Sequence, residues 1–391
     1  MSLSNASIVR LTNSAILKNA RDAINKDDII NSAIRIQQIA APTFAEQARA
    51  EYIQSLFRQL DLENVEMDDV YNVYGWLPGE YADAPALLIS AHTDTVFPIE
   101  TNLAVRNEGE QIYGPGLGDN SLGVAALLGL IEIFKNTGIP HEANLCFVAN
   151  SREEGLGDLG GMRGVIQKLR DKVKAVIVLE GMALGRIYHA GIGVRRYKLT
   201  VTCPGGHSWL HFGGSSAIHS LMQFGSDLCK IEVPSVPRTT YNIGVIGGGT
   251  SVNTIASEAF CYIDLRSEDV ESLQNLEQDV MSIADRLARE DVNFHFELVG
   301  NRPAGAIPID HPLVRLAVDA HEAIQMKTEL DGGSTDANIP LSEGIPTVCV
   351  GVSYGGNAHR LDEYIETAPI ELGMWQLMLL TTAASNAIST W

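Results

Sequence analysis

The apolar run Pro85–Ala91 (PALLISA) ends on His92, and Asp94 follows two residues later. An apolar run of that length, closed by polar residues, reads as a buried strand of a parallel sheet. Side chains two apart on a strand point to the same side. In open parallel sheets, ligands bind in the crevice beyond the carboxyl ends of the strands. An imidazole and a carboxylate are thus delivered together to the edge where chemistry takes place. Alone, the pair reads equally well as a histidine hydrogen-bonded to a neighbouring acid.

The surrounding chain supports the sheet. From about 85 to 185, strands alternate with helices: a strand at 86–90, a helix from Gly123, strands at 143–149 and 174–180, and a short helix at 161–169. Such alternation implies an α/β domain with a mainly parallel sheet. Two helical stretches, 27–39 and 46–60, precede it. The texture then changes. Period-two strands at 191–203, 241–246, 259–265 and 293–299, with helices at 216–230 and 267–289, make an α+β pattern with an antiparallel sheet. After Pro303 the α/β texture returns, with a helix at 312–324, a strand at 347–351 and a helix at 370–389. At 391 residues the chain is too long for one compact core. The expected organisation is a catalytic domain formed by 1–190 and 306–391, interrupted by an inserted α+β lid or dimerisation domain at 191–305.

Composition narrows the class. The formal charge of −20 would repel nucleic acid and acidic membranes. No continuous apolar run is long enough to span a bilayer, and no basic segment leads into an apolar one near the N-terminus. Five scattered cysteines without a CxxC pair read as small buried hydrophobes in a reducing, cytoplasmic setting.

Further polar clusters recur where strands end or glycines gather. Gly114–Asn120 (GPGLGDN) carries Asp119 in a tight loop ahead of a helix, where an aspartate can also serve as a cap. Ser151–Gly155 (SREEG) places Glu153 and Glu154 after a strand. Two adjacent carboxylates are costly to crowd unless cations neutralise them, although such a pair is common on surfaces. Glu180 closes the next strand. Asn357–Arg360 (NAHR) returns a second histidine, His359, after the last strand. Two histidines and at least four carboxylates on one sheet edge suit zinc, with manganese or cobalt as close substitutes.

This ordered set resembles the dinuclear zinc exopeptidase and deacylase family of peptidase T, glutamate carboxypeptidase, aminoacylase, acetylornithine deacetylase and succinyl-diaminopimelate desuccinylase. The resemblance covers nearly the whole chain. It rests on AHTDTV at 91–96, Gly118-Asp119, EEG at 153–155, Glu180, GGHS at 205–208 and NAH at 357–359. It implies two Zn2+ ions, with His92 binding one, His359 the other, and Asp119 bridging. Glu154 and Glu180 complete the two sites, and which acid joins which histidine stays open. Asp94 would orient His92 without touching metal, and Glu153 would be the general base for a metal-bridging water. Many members carry aspartate where this chain has Glu180.

The same resemblance implies that His207 reaches the active site of a neighbouring subunit and stabilises the oxyanion, so that a homodimer through the inserted domain belongs to the mechanism. Arg266 and Asn253 would hold the substrate's backbone or carboxylate; Arg266 also reads as half of a surface ion pair. The loop 332–338 resembles one lining the specificity pocket, with Asp336 structural. His211 and His219 read as ordinary surface histidines. The expected activity is hydrolysis of an amide in di- or tripeptides. The alternative is an N-acyl amino acid deacylase or desuccinylase with the same machinery, and more remotely a non-catalytic metal-stabilised binding protein.

Overall fold

The computed structural model describes residues 3–81 and 83–391. The chain forms two compact units: Met1–Gly191 with Ala306–Trp391, and Ile192–Gly305.

In the first unit, four parallel strands lie side by side in the order Asn144–Asn150, Ala86–His92, Val173–Glu180 and Thr347–Gly351. All are almost wholly buried, which is why each reads as an unbroken apolar run rather than an alternating one. The chain leaves Ala86–His92 for its neighbour on one side, then crosses to the other side for Val173–Glu180. The strand order therefore reverses between the strands that end on His92 and Glu180. That reversal is where open α/β sheets form their ligand crevice.

The flanks are antiparallel. Val73–Leu77 and Glu63–Met67 extend the sheet beyond Asn144–Asn150, and Arg186–Gly191 runs against Thr347–Gly351. Glu329–Gly333 pairs in parallel with Arg186–Gly191. Periodicity does not announce these last two strands, since both mix polar residues and glycine with few apolar ones.

Helix Leu122–Thr137 packs on the strands ending at His92 and Glu180, and is covered in turn by Lys26–Gln37 and Ile370–Ala387. Its first ten residues, 122–131, are all buried and all apolar. Gly138, at φ 62°, closes it in the left-handed conformation. The stretch Leu117–Thr137 is apolar and long enough to cross a membrane, but 89% of its apolar window is buried inside the protein, which marks a core helix.

The second unit is a four-stranded antiparallel sheet in the order Thr239–Gly248, Glu258–Ser267, Gly193–Thr202 and Asn293–Arg302. Alternate residues of Gly193–Thr202 (Tyr197, Leu199, Val201) meet Phe224 of helix Ala217–Leu228 and Val280 of helix Val270–Leu287 in one core. All five cysteines are free; Cys146, Cys261 and Cys349 are buried, while Cys203 is half-buried. Cys229 departs from the expected burial, because it caps the exposed end of Ala217–Leu228.

One buried group in the first unit makes stability depend on pH. His321, on helix Pro312–Ala323, is fully buried with Nδ1 2.9 Å from Thr328 Oγ1. Burial pushes its imidazole down to about 4, outweighing the opposing pull of Gln376. The unfolded chain therefore binds the extra proton first. This contribution is complete above pH 6.5 and is lost as pH falls toward 4. Urea unfolding at pH 7 and pH 5 should show a loss about 2 kcal/mol larger for wild type than for His321→Gln.

Candidate metal centre

Strand ends and loops deliver the site. His92 and Glu180 close neighbouring strands, and Glu153 and Glu154 follow the strand Asn144–Asn150. Asp119 sits in the turn Leu117–Ser121 that leads into the core helix. His359 lies between the short strands Gly355–Gly356 and Tyr364–Glu366.

Asp119 stands at the centre. Its Oδ1 is 3.1 Å from His92 Nε2, and its Oδ2 is 3.2 Å from His359 Nε2. His359 Nε2 also lies 3.2 Å from Glu154 Oε1, and His92 Nε2 lies 3.8 Å from Glu180 Oε2. The donors thus form two groups that share Asp119. One is His92, Asp119 and Glu180; the other is Asp119, Glu154 and His359, each with donor atoms within 4.8 Å of one another. A third group joins His92 to Glu153 and Glu154. Glu180 stands with His92 and Asp119, while Glu154 stands both with Asp119 and His359 and with His92 and Glu153.

The electrostatics call for positive charge. Hydrogen bonds to Asp119 and Glu154 push the His359 imidazole up to about 10, against burial. Burial alone would lower His92, yet Asp119, Asp94 and Glu180 hold it well above its ordinary value. Burial would raise Asp119, but its contacts with His359 and His92 keep it far below the usual carboxylate range. Burial lifts Glu180, and the charges of Asp119 and Glu154 add to the rise. A partly buried donor set of this charge fits divalent cations, which satisfy several carboxylates at once.

A second tier of side chains fixes the backbone beneath these donors. Asp94, fully buried, accepts the Glu153 N–H at 2.8 Å on Oδ1. Its Oδ2 accepts the Glu154 N–H at 3.0 Å and the Thr43 hydroxyl at 2.8 Å. His92 Nδ1 lies 3.1 Å from the Asp94 backbone carbonyl and 3.6 Å from its Oδ1, so main chain as well as carboxylate sets the ring. Buried Arg49 donates to the carbonyls of Thr93, Ile39 and Gln37. Asn120 bonds both Leu179 O and Gly181 N, gripping the strand end at Glu180. A methyl group on Gly181 would sit 2.2 Å from the Gly118 carbonyl, so only glycine fits beside Glu180. Glu363 accepts the N–H groups of Gly118 and Asp119. Asp336 is fully buried and accepts from Asn150 at 2.6 Å.

In the second unit, His207 and Asn253 share one short ribbon, in which Gly206–His207 pairs with Thr254–Ile255. The Asn253 carbonyl accepts the Ser208 N–H at 3.0 Å. His207 Nδ1 accepts N–H bonds from Trp209 at 3.2 Å and Leu210 at 3.4 Å. In the neutral ring, that leaves the proton on Nε2 as a donor. His211, expected as an ordinary surface residue, accepts the His207 N–H at 2.8 Å. Arg266 lies near the far end of Glu258–Ser267 from this ribbon and pairs with Asp264 at 2.6 Å.

Sequence reasoning passed over Thr43, Arg49, Asn120, His211 and Glu363. Asn120, His211 and Glu363 carried a usable signal, since each lies in or within a few residues of a cluster already singled out.

Known proteins resemble the chain over most of its length. The family model described as Peptidase family M20/M25/M40 matches residues 88–379. A succinyl-diaminopimelate desuccinylase from Nitrosospira multiformis is 25% identical, the match covering 80% of this chain and 85% of that protein. The aminopeptidase PepT of Bacillus cereus shares the fold with a TM-score of 0.77 at 22% identity, over 93% of this chain and 100% of that one. The YXEP protein of Bacillus subtilis, a dinuclear metal binding peptidase, gives a TM-score of 0.69 at 17% identity, over 91% of this chain and 97% of that one.

Removing Asp94 tests the second tier. Asp94→Ala leaves two backbone N–H groups without their acceptor, which should cost about 2–4 kcal/mol in urea unfolding of the metal-free protein. Metal affinity should fall about 10–100-fold. Wild-type values for both would show that Asp94 positions nothing.

Proposed function

This chain belongs to the peptidase family M20/M25/M40 and is a hydrolase, and on that premise we propose that it cleaves amide bonds in di- and tripeptides at a site for two divalent ions. The observation that carries the reading is the Asp119 carboxylate, whose two oxygens face two different histidines at 3.1 and 3.2 Å. His92, Asp119 and Glu180 would hold one ion; Asp119, Glu154 and His359 the other. Mixed imidazole and carboxylate donors suit zinc, with manganese and cobalt as substitutes. Ions held there would supply Lewis acidity toward water and the scissile carbonyl.

The protein's own groups do the rest. Glu153 lies within the cluster beside His92 and Glu154, with its backbone anchored on Asp94. It takes the proton from the attacking water and returns it to the leaving amine. His207, with Nδ1 occupied by backbone N–H bonds, offers Nε2–H to the developing oxyanion. Arg266 and Asn253 hold the substrate, the guanidinium suiting its carboxylate.

Two copies of the chain are part of this reading. Glu258 and Arg266 stand about 26 Å apart along one extended strand, and the ribbon of His207 and Asn253 leads off the Glu258 end. A tripeptide extends about 10 Å. In this reading Arg266 and His207 touch one substrate from different copies of the chain, so the active form would be a homodimer.

A second reading, hydrolysis of N-acyl amino acids, is favoured by the likeness to succinyl-diaminopimelate desuccinylase. Metal-loaded protein should be assayed on di- and tripeptides beside N-acetyl and N-succinyl amino acids. Peptides are expected to be the better substrates; a preference for N-succinyl compounds would select the second reading. Activity that survives verified removal of the ions would end both.

Glu153→Gln should lower kcat by about 10²–10⁴-fold with metal content unchanged. Undiminished hydrolysis by that variant at full metal content would remove Glu153 from the mechanism.

A further inference from the structure

Glu363 lies four residues beyond His359, just before the strand Tyr364–Glu366. It is fully buried and stands between the loops that carry His359 and Asp119. Its Oε1 accepts the Gly118 N–H at 2.7 Å and the Asp119 N–H at 3.0 Å. Its own carbonyl accepts the Gly114 N–H at 2.8 Å, and its N–H donates to the Arg360 carbonyl at 3.1 Å. One residue therefore bonds both ends of the Gly114–Asp119 loop while belonging to the His359 loop.

We propose that Glu363 is the positioning residue that fixes Asp119 against His359, and so shapes the metal position these two share with Glu154. This rests on the two-ion reading above. The physical reason is the double duty of Asp119. Each of its oxygens must meet a different histidine, so a small shift of its backbone spoils both contacts together. The N–H groups of Gly118 and Asp119 share a single buried acceptor, Glu363 Oε1. Without that oxygen they must find new acceptors, and the loop moves to reach them. Glu363 Oε1 is taken up by the two N–H groups, and among the described residues Glu363 belongs to none of the donor groups. Its role is exercised through Asp119.

The test compares three variants for ion binding without substrate. Metal-free wild type and Glu363→Ala, Glu363→Asp and Glu363→Gln are titrated with Zn2+ against a competing chelator. Stoichiometry is read by atomic spectroscopy. Glutamine keeps an oxygen at the same reach, so Glu363→Gln should bind both ions within about 3-fold of wild type. Glu363→Ala, and Glu363→Asp with its shorter side chain, should lose about 10–100-fold in affinity for one ion. Glu363→Asp decides alone if the alanine variant does not fold. In cobalt-loaded protein, the visible band should change in the alanine or aspartate variant and not in the glutamine variant, which a general loss of stability would not produce. Wild-type affinity in Glu363→Asp, or an equal loss in Glu363→Gln, overturns the proposal while leaving the two-ion site standing. Wild type that binds fewer than two ions overturns the two-ion reading and this inference with it.

Discussion

Asp119 divides its carboxylate between two histidines that lie far apart in the sequence. Oδ1 meets His92 at the end of a central strand; Oδ2 meets His359 in a loop near the C-terminus. A half-buried carboxylate with donor atoms of Glu154 and Glu180 within 4.8 Å is a costly arrangement without cations. The high proton affinity of both histidines expresses that cost: the cluster draws positive charge to itself. Two divalent ions would answer the same demand, and Lewis-acid hydrolysis is the chemistry they would supply.

The fold supplies the precision. Strand order reverses between the strands ending on His92 and Glu180, so these two donors flank the natural crevice of the sheet. The other donors sit on loops, and loops need tethers. Asp94 tethers Glu153 and Glu154, Asn120 tethers the end of the Glu180 strand, and Glu363 tethers Asp119. Each tether uses a side chain to satisfy buried main-chain groups. Backbone hydrogen bonding, which is obligatory inside a protein, is thereby turned into placement of the reactive groups.

Much of this was legible in the sequence, and the reason is local. Buried parallel strands are apolar throughout, so Ala86–His92, Asn144–Asn150 and Val173–Glu180 stand out, and the polar residues after them mark the crevice. The period-two strands of 192–305 announce an antiparallel sheet in the same way. What stayed hidden depends on distant backbone. Arg49 looks like any helical arginine until the carbonyls of Thr93, Ile39 and Gln37 converge on it. Thr43 gains meaning only through its hydroxyl bond to Asp94, and His211 only through the His207 N–H. Arg186–Gly191 and Glu329–Gly333 become strands by pairing with neighbours already in place, not by their own pattern.

The measurement that bears most directly on this account is the ion stoichiometry of the metal-free chain and of Asp119→Ala. Both would be titrated with Zn2+ under identical conditions. A carboxylate shared by two positions predicts two ions per chain in the wild type, and weakened binding of both in the variant. A wild type saturating at one ion, or a variant that loses one ion and keeps the other at full affinity, would contradict it.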